Sequence, residues 1–185
     1  DADHEAVRGI DLTVEKGEIM GLVGESGSGK TVTAMVISSL MPENKASVTG
    51  QVLLDGEDLL ALDEKAMRQK QGSDISVGFQ EPMTAMNPVM RIGPQVEESL
   101  RVHTKLTKEE RRERALQALR DVDLSNVEEL YNKYPHQLSG GMLQRVMIAA
   151  AIVSEPKLLL ADEPTKALDV TIQAQILELL QRLNH

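Results

Sequence analysis

The stretch GLVGESGSGKT, residues 21–31, decides the fold. An apolar run at 19–23 leads into it and reads as a buried strand; an alternating run at 10–14 precedes that strand across a turn at 15–17. Beyond Thr31 the residues to Met41 are helix-compatible and largely apolar, and Pro42 is placed to end the helix. Strand, glycine loop and helix form the context that the pattern G-x-x-x-x-G-K-[ST] requires, and Gly24, Glu25, Ser26, Gly27, Ser28, Gly29, Lys30 and Thr31 fill it. Its glycines let backbone N–H groups face inward around phosphates, and the helix start adds the positive end of its dipole. Lys30 brings a point charge for β- and γ-phosphates, and the Thr31 hydroxyl is an oxygen donor suited to Mg²⁺. The alternative, a glycine turn that binds nothing, does not account for the flanking strand and helix.

Such a loop serves kinases, GTPases and ATPases alike. A guanine-reading N-K-x-D motif is absent, since the two Asn-Lys pairs read NKAS and NKYP. More informative is LLLADEP, residues 158–164, which delivers Asp162 and Glu163 directly off an apolar strand. Near a phosphate loop, Asp162 can hold Mg²⁺ through water and Glu163 can polarise an attacking water. The competing reading is an acidic pair that caps a helix or forms a turn.

Composition limits the remaining classes. With 185 residues, 41% of them hydrophobic, the chain can bury one substantial core. A formal net charge of -9 argues against a general nucleic-acid or anionic-membrane binder. The longest apolar run, 146–153, falls far short of the roughly 20 residues of a membrane-spanning helix. Cysteine is absent, which excludes disulfides and thiolate metal sites. The chain opens DADHEAVRG, with neither Met nor a signal-like apolar region, and reads as a segment of something longer.

Further strands are expected at QVLLDGED, with an Asp-Gly turn, and at DISVGF. After Gln80 the pattern becomes helical: Thr107 and Glu110 have capping-box spacing, and Ser125 and Glu128 repeat it. Near the end, Ile172, Ile176, Leu179, Leu180 and Leu183 mark the apolar face of one more helix. Between these lies LSGGM, residues 138–142. Ser139 there is a good N-cap, and Gly140 and Gly141 leave first-turn N–H groups open to a second anion.

In this order, the 24–31 loop, Gln80, LSGGM, the 158–162 strand and the 167–169 turn closed by Asp169 resemble the nucleotide-binding domains of ABC transporters. The segments FQEPMTAMNPVMRIG and ADEPTKALDVTIQAQIL look like the importer ATPases for peptides, nickel or glutathione. The resemblance implies an α/β fold: a P-loop NTPase core of mostly parallel sheet with flanking helices, an antiparallel β portion and an inserted α-helical subdomain. It places the core at 1–83 and 151–185, truncated at both ends, and the helical subdomain at 84–150.

It also implies ATP and Mg²⁺ as ligands, with Thr31, Gln80 and Asp162 around the metal and Glu163 as base. Ser139, Gly140, Gly141 and Met142 would act in trans on ATP held by a second ABC ATPase, identical or paralogous. Residues 80–93 would meet a membrane permease, with Met83, Met86 and Met90 offering an adaptable apolar surface; without the resemblance, ordinary core filling is the preferred reading of these methionines. A solute-binding protein would take part indirectly, nucleic acid would not, and the location implied is peripheral, on the cytoplasmic face of the cell membrane. The expected function is hydrolysis of ATP to energise di- or oligopeptide import. A fragment with little turnover and a soluble non-transport ABC ATPase are the alternatives. The short spacing between Gln80 and Ser139 disfavours the latter by leaving no room for a long coiled coil. Residues 1–30 lack an adenine-stacking aromatic, no switch histidine follows Glu163 at the usual remove, and Lys166 stands where Ser or Thr is common. Weak Mg-ATP binding and slow turnover by this segment are the resulting expectation.

Overall fold

A computed structural model describes residues 6–41, 47–78, 85–164 and 168–184. Helix α1, Lys30–Ile37, leaves the glycine loop directly. Strands β1, Leu53–Leu54, and β2, Glu57–Asp58, pair antiparallel across Asp55 and Gly56. Both turn residues have positive φ, 50° and 83°, the conformation that a tight two-residue hairpin demands. Helix α2, Glu64–Lys70, leads to strand β3, Ile75–Gly78. Five helices then follow among the described residues: α3, Ile92–Val96; α4, Glu98–His103; α5, Lys108–Asp121; α6, Val127–Tyr131; and α7, Gly140–Ile152. Strand β4, Leu158–Ala161, and helix α8, Val170–Leu183, complete the order.

β3 and β4 pair in parallel, Ile75 opposite Leu158 and Gly78 opposite Ala161. A parallel pair needs a crossover, and here the crossover carries the helices α3 to α7. Register starts at Asp74, whose carbonyl accepts from the N–H groups of Lys157 and Leu158 at 2.9 and 3.0 Å. It runs on past β4, where the Asp162 N–H donates to the Gly78 carbonyl at 3.3 Å.

Several expectations change on folding. The runs at 10–14 and 19–23 form no strand, and Ile10, Leu12, Val14, Ile19, Leu22 and Val23 are exposed. Alternation marks a face, but a strand also needs a neighbour to complete its ladder, and no described segment pairs with either run. Helix α1 ends at Ile37 rather than near Met41, because Ser39 turns left-handed at φ 52°. The Thr107–Glu110 capping box is present, with bonds of 2.7 and 3.2 Å. Ser125 and Glu128 form none: Asn126, left-handed at φ 50°, is the N-cap of α6, and Glu128 instead accepts from Arg120 at 2.8 Å.

Two apolar clusters hold the chain together. The larger joins α3 to α7 with Ile176 and Leu179 of α8, on the face that its periodicity marks. The smaller, Leu59, Met67 and Ile75, seats α2 beneath the hairpin and β3. Met86 is buried in the larger cluster while Met90 is exposed, so core filling describes Met86. No helix among the described residues is long and apolar enough to cross a membrane.

Inside the larger cluster, the Tyr131 hydroxyl donates to the Glu97 carboxylate, and the Arg112 guanidinium lies 4.6 Å from the Tyr131 ring centre. Burial, with the hydrogen bond to Glu97 second, pushes the Tyr131 phenol up to about 12. A raised acid favours its protonated form in the fold, so this contribution is complete below the ordinary value of 10 and is lost as pH rises through about 12. Urea unfolding across this window will show the parent losing stability faster than Tyr131→Phe. Equal slopes would contradict the account.

Candidate functional site

The loop at 24–31 is shaped by its glycines. A Cβ on Gly24 would lie 2.6 Å from the Ser28 hydroxyl, and Gly29 caps α1 at φ 91°, where a Cβ would meet the Ala6 carbonyl at 2.9 Å. No side chain caps α1 and no acid sits in its first turn. The leading N–H groups are thus left for an anion at the positive end of the helix. Lys30 folds back over the loop, its Nζ donating to the carbonyls of Gly24 and Glu25 at 2.7 Å each and approaching Ser28 Oγ at 3.3 Å. These contacts hold the ammonium at the mouth of the loop, where a phosphate would compete for it.

Thr31 Oγ1 donates to Asp162 Oδ2 at 2.8 Å, across 131 positions of chain. Asp162 stands one residue past β4, at the end of the parallel ladder. Asp162 faces the phosphate loop, and the next described helix is capped by Asp169, which accepts from the Ile172 N–H at 3.0 Å. Glu163 is exposed, with a left-handed backbone at φ 47°. Gln80, Met83 and Lys166 lie outside the described residues.

The expected second anion site, at 138–142, lies apart from this loop at the start of α7. Ser139 caps α7, its Oγ accepting from the Met142 N–H at 3.2 Å. Ser139 and Gly140 are exposed, and a Cβ on Gly140 would meet nothing. Behind them, a Cβ on Gly141 would touch Ile172 of α8 at 3.5 Å. The expected residues thus fall into two groups, the loop with Asp162 and Glu163, and the start of α7 with the start of α8. His136 is exposed and stacks on Tyr134; His103 packs beside Gly72.

Residues 7–166 match the family model described as ABC transporter. The chain belongs to the ABC transporter family. Among curated ABC relatives it is 48% identical over 180 residues to the oligopeptide transport ATP-binding protein OppD of Bacillus subtilis (strain 168), covering 97% of this chain and 50% of that protein. To the probable D,D-dipeptide transport ATP-binding protein DdpD of Escherichia coli (strain K12) it is 49% identical over 180 residues, 97% of this chain and 55% of the relative. The chain spans about half the length of the curated relatives it matches. The structure of the ATP-binding cassette MJ0796, dimeric in a post-hydrolysis state with ADP and Pi, superimposes with a TM-score of 0.82 at 33% identity. That match covers 97% of this chain and 75% of the other. The fold is accordingly the P-loop NTPase fold of ABC cassettes, mixed α/β.

Two features of this ABC chain escaped the sequence reading. Asp123, in the turn after α5, accepts from Arg145 of α7 at 3.4 Å and from Arg182 of α8 at 2.9 Å, tying the two helices whose starts lie together. Arg182 foremost holds the Asp123 carboxyl below its ordinary range. The other is Gln144, buried on α7 where periodicity calls for an apolar residue. That mismatch was the available signal. For the loop itself, a double-mutant cycle of Thr31→Val and Asp162→Ala, read by urea unfolding, will give a coupling of about 1.5–3 kcal/mol. Additive effects would show that the two side chains do not sense each other.

Proposed function

We propose that the chain is the ATP-binding and ATP-hydrolysing part of an ABC importer for di- or oligopeptides. The Thr31–Asp162 hydrogen bond supports this reading, because it joins the 24–31 loop to the first carboxylate after β4. The printed names of the OppD and DdpD relatives supply the substrate class.

In this reading the N–H groups of residues 24–31 and Lys30 bind the phosphates. Thr31 and Asp162, with Gln80, hold Mg²⁺, whose charge when bound offsets that of the β- and γ-phosphates. The donors fit a hard cation that keeps most of its waters: a hydroxyl and a carboxylate lie side by side, and no cluster of three or more His, Asp or Glu side chains occurs among the described residues. Glu163 accepts a proton from the attacking water. Residues 84–150 form the helical subdomain, and Ser139, Gly140, Gly141 and Met142 at the start of α7 close over ATP held by a second ABC ATPase. Asp169 fixes the start of α8 beside them. Residues 80–93 meet the membrane permease, a solute-binding protein delivers the peptide, and the ATPase works on the cytoplasmic face of the membrane.

Calorimetry and phosphate release test these assignments together. Lys30→Ala will abolish Mg-ATP binding, and Glu163→Gln will retain binding while turnover stops. Normal turnover by Glu163→Gln would remove that residue from the base role, and undiminished binding by Lys30→Ala would remove the phosphate site.

A further inference from the structure

Gln144 is only 1% exposed, set among apolar side chains on the inner face of α7. Its Nε2 donates to the Pro164 carbonyl at 2.7 Å. A buried amide left without a partner is costly, so burial and hydrogen bond form one requirement. Pro164 has no N–H, which leaves its carbonyl as the only backbone hydrogen-bonding group there for another element to hold. The residue just before it is Glu163, in a left-handed conformation that a residue with a Cβ keeps only when its surroundings fix it.

We infer that Gln144 is a positioning residue for Glu163: by gripping the Pro164 carbonyl it sets the backbone from which the Glu163 carboxylate is presented. The inference rests on the reading of Glu163 as the base. It carries a mechanical consequence. Helix α7 begins at Ser139, the residue proposed to meet nucleotide held by another subunit, and the same helix grips the turn that bears the base of its own site. Displacement of α7 when one site closes reaches the other through this hydrogen bond.

Core filling is the competing role for Gln144, and two substitutions in the intact protein separate it from positioning. Gln144→Met keeps the volume and removes the donor; Gln144→Asn keeps an amide but loses the reach. Positioning predicts that both lower single-turnover hydrolysis by about 10- to 100-fold, the scale of a small misplacement of a reacting group. Mg-ATP affinity should stay within about twofold, and the NMR Cβ shift of Glu163 should leave its left-handed value in both. Core filling predicts that the volume-conserving Met is tolerated, with parental turnover and an unchanged Glu163 shift. That result overturns the inference, as does a loss of turnover without a change at Glu163, or the reverse. If Gln144→Met fails to fold, Gln144→Asn decides by the same readouts. If the parent itself does not turn over ATP, the ATP-hydrolysing reading on which the inference rests fails, while the Glu163 shift still reports whether Gln144 fixes its backbone.

Discussion

The parallel ladder between β3 and β4 is the constraint on which the candidate site depends. It places Asp162 opposite the end of β3 and so within reach of Thr31. The hydrogen bond alone could not do this. Closing 131 residues into a loop costs about 4 kcal/mol or more in chain entropy, whereas a bond to a charged acceptor contributes about 1.5–3 kcal/mol. Strand register and the apolar core that seats α7 and α8 bear the closure. The Thr31–Asp162 bond then fixes the last few ångströms.

One fold displays two glycine-bearing helix starts of different shape. At α1 the cap is a left-handed glycine and the loop wraps back over itself around the Lys30 ammonium. At α7 the cap is a serine hydroxyl with open glycine beyond it, facing outward. The first shape encloses and the second lies open. The bridge from Asp123 to Arg145 and Arg182 ties α7 to α8, and the bond from Gln144 to Pro164 ties it to the turn after β4.

Much of this was legible in the sequence, because the deciding signals are local. The 24–31 loop, the Asp-Gly hairpin, the Thr107 capping box and the apolar face of α8 each depend on residues a few positions apart. What was not legible depends on distant partners. Alternation at 10–14 and the apolar run at 19–23 announce strands, yet pairing is a property of neighbours. The Ser125–Glu128 spacing announces a cap, yet a left-handed Asn126 starts α6 one residue later and Arg120 takes the glutamate. Gln144 shows as an oddity on an apolar face, while its carbonyl partner lies 20 positions away and emerges only from packing.

The most direct test asks whether the phosphate loop and the β4 carboxylate work as one site. ATP affinity should be measured by calorimetry with and without Mg²⁺, for the parent and for Asp162→Asn. The account predicts that Mg²⁺ strengthens binding in the parent and loses that effect in Asp162→Asn, while metal-free binding through Lys30 and the loop persists in both. An equal strengthening by Mg²⁺ in Asp162→Asn would contradict it, separating the carboxylate from the site that the ladder brings it to.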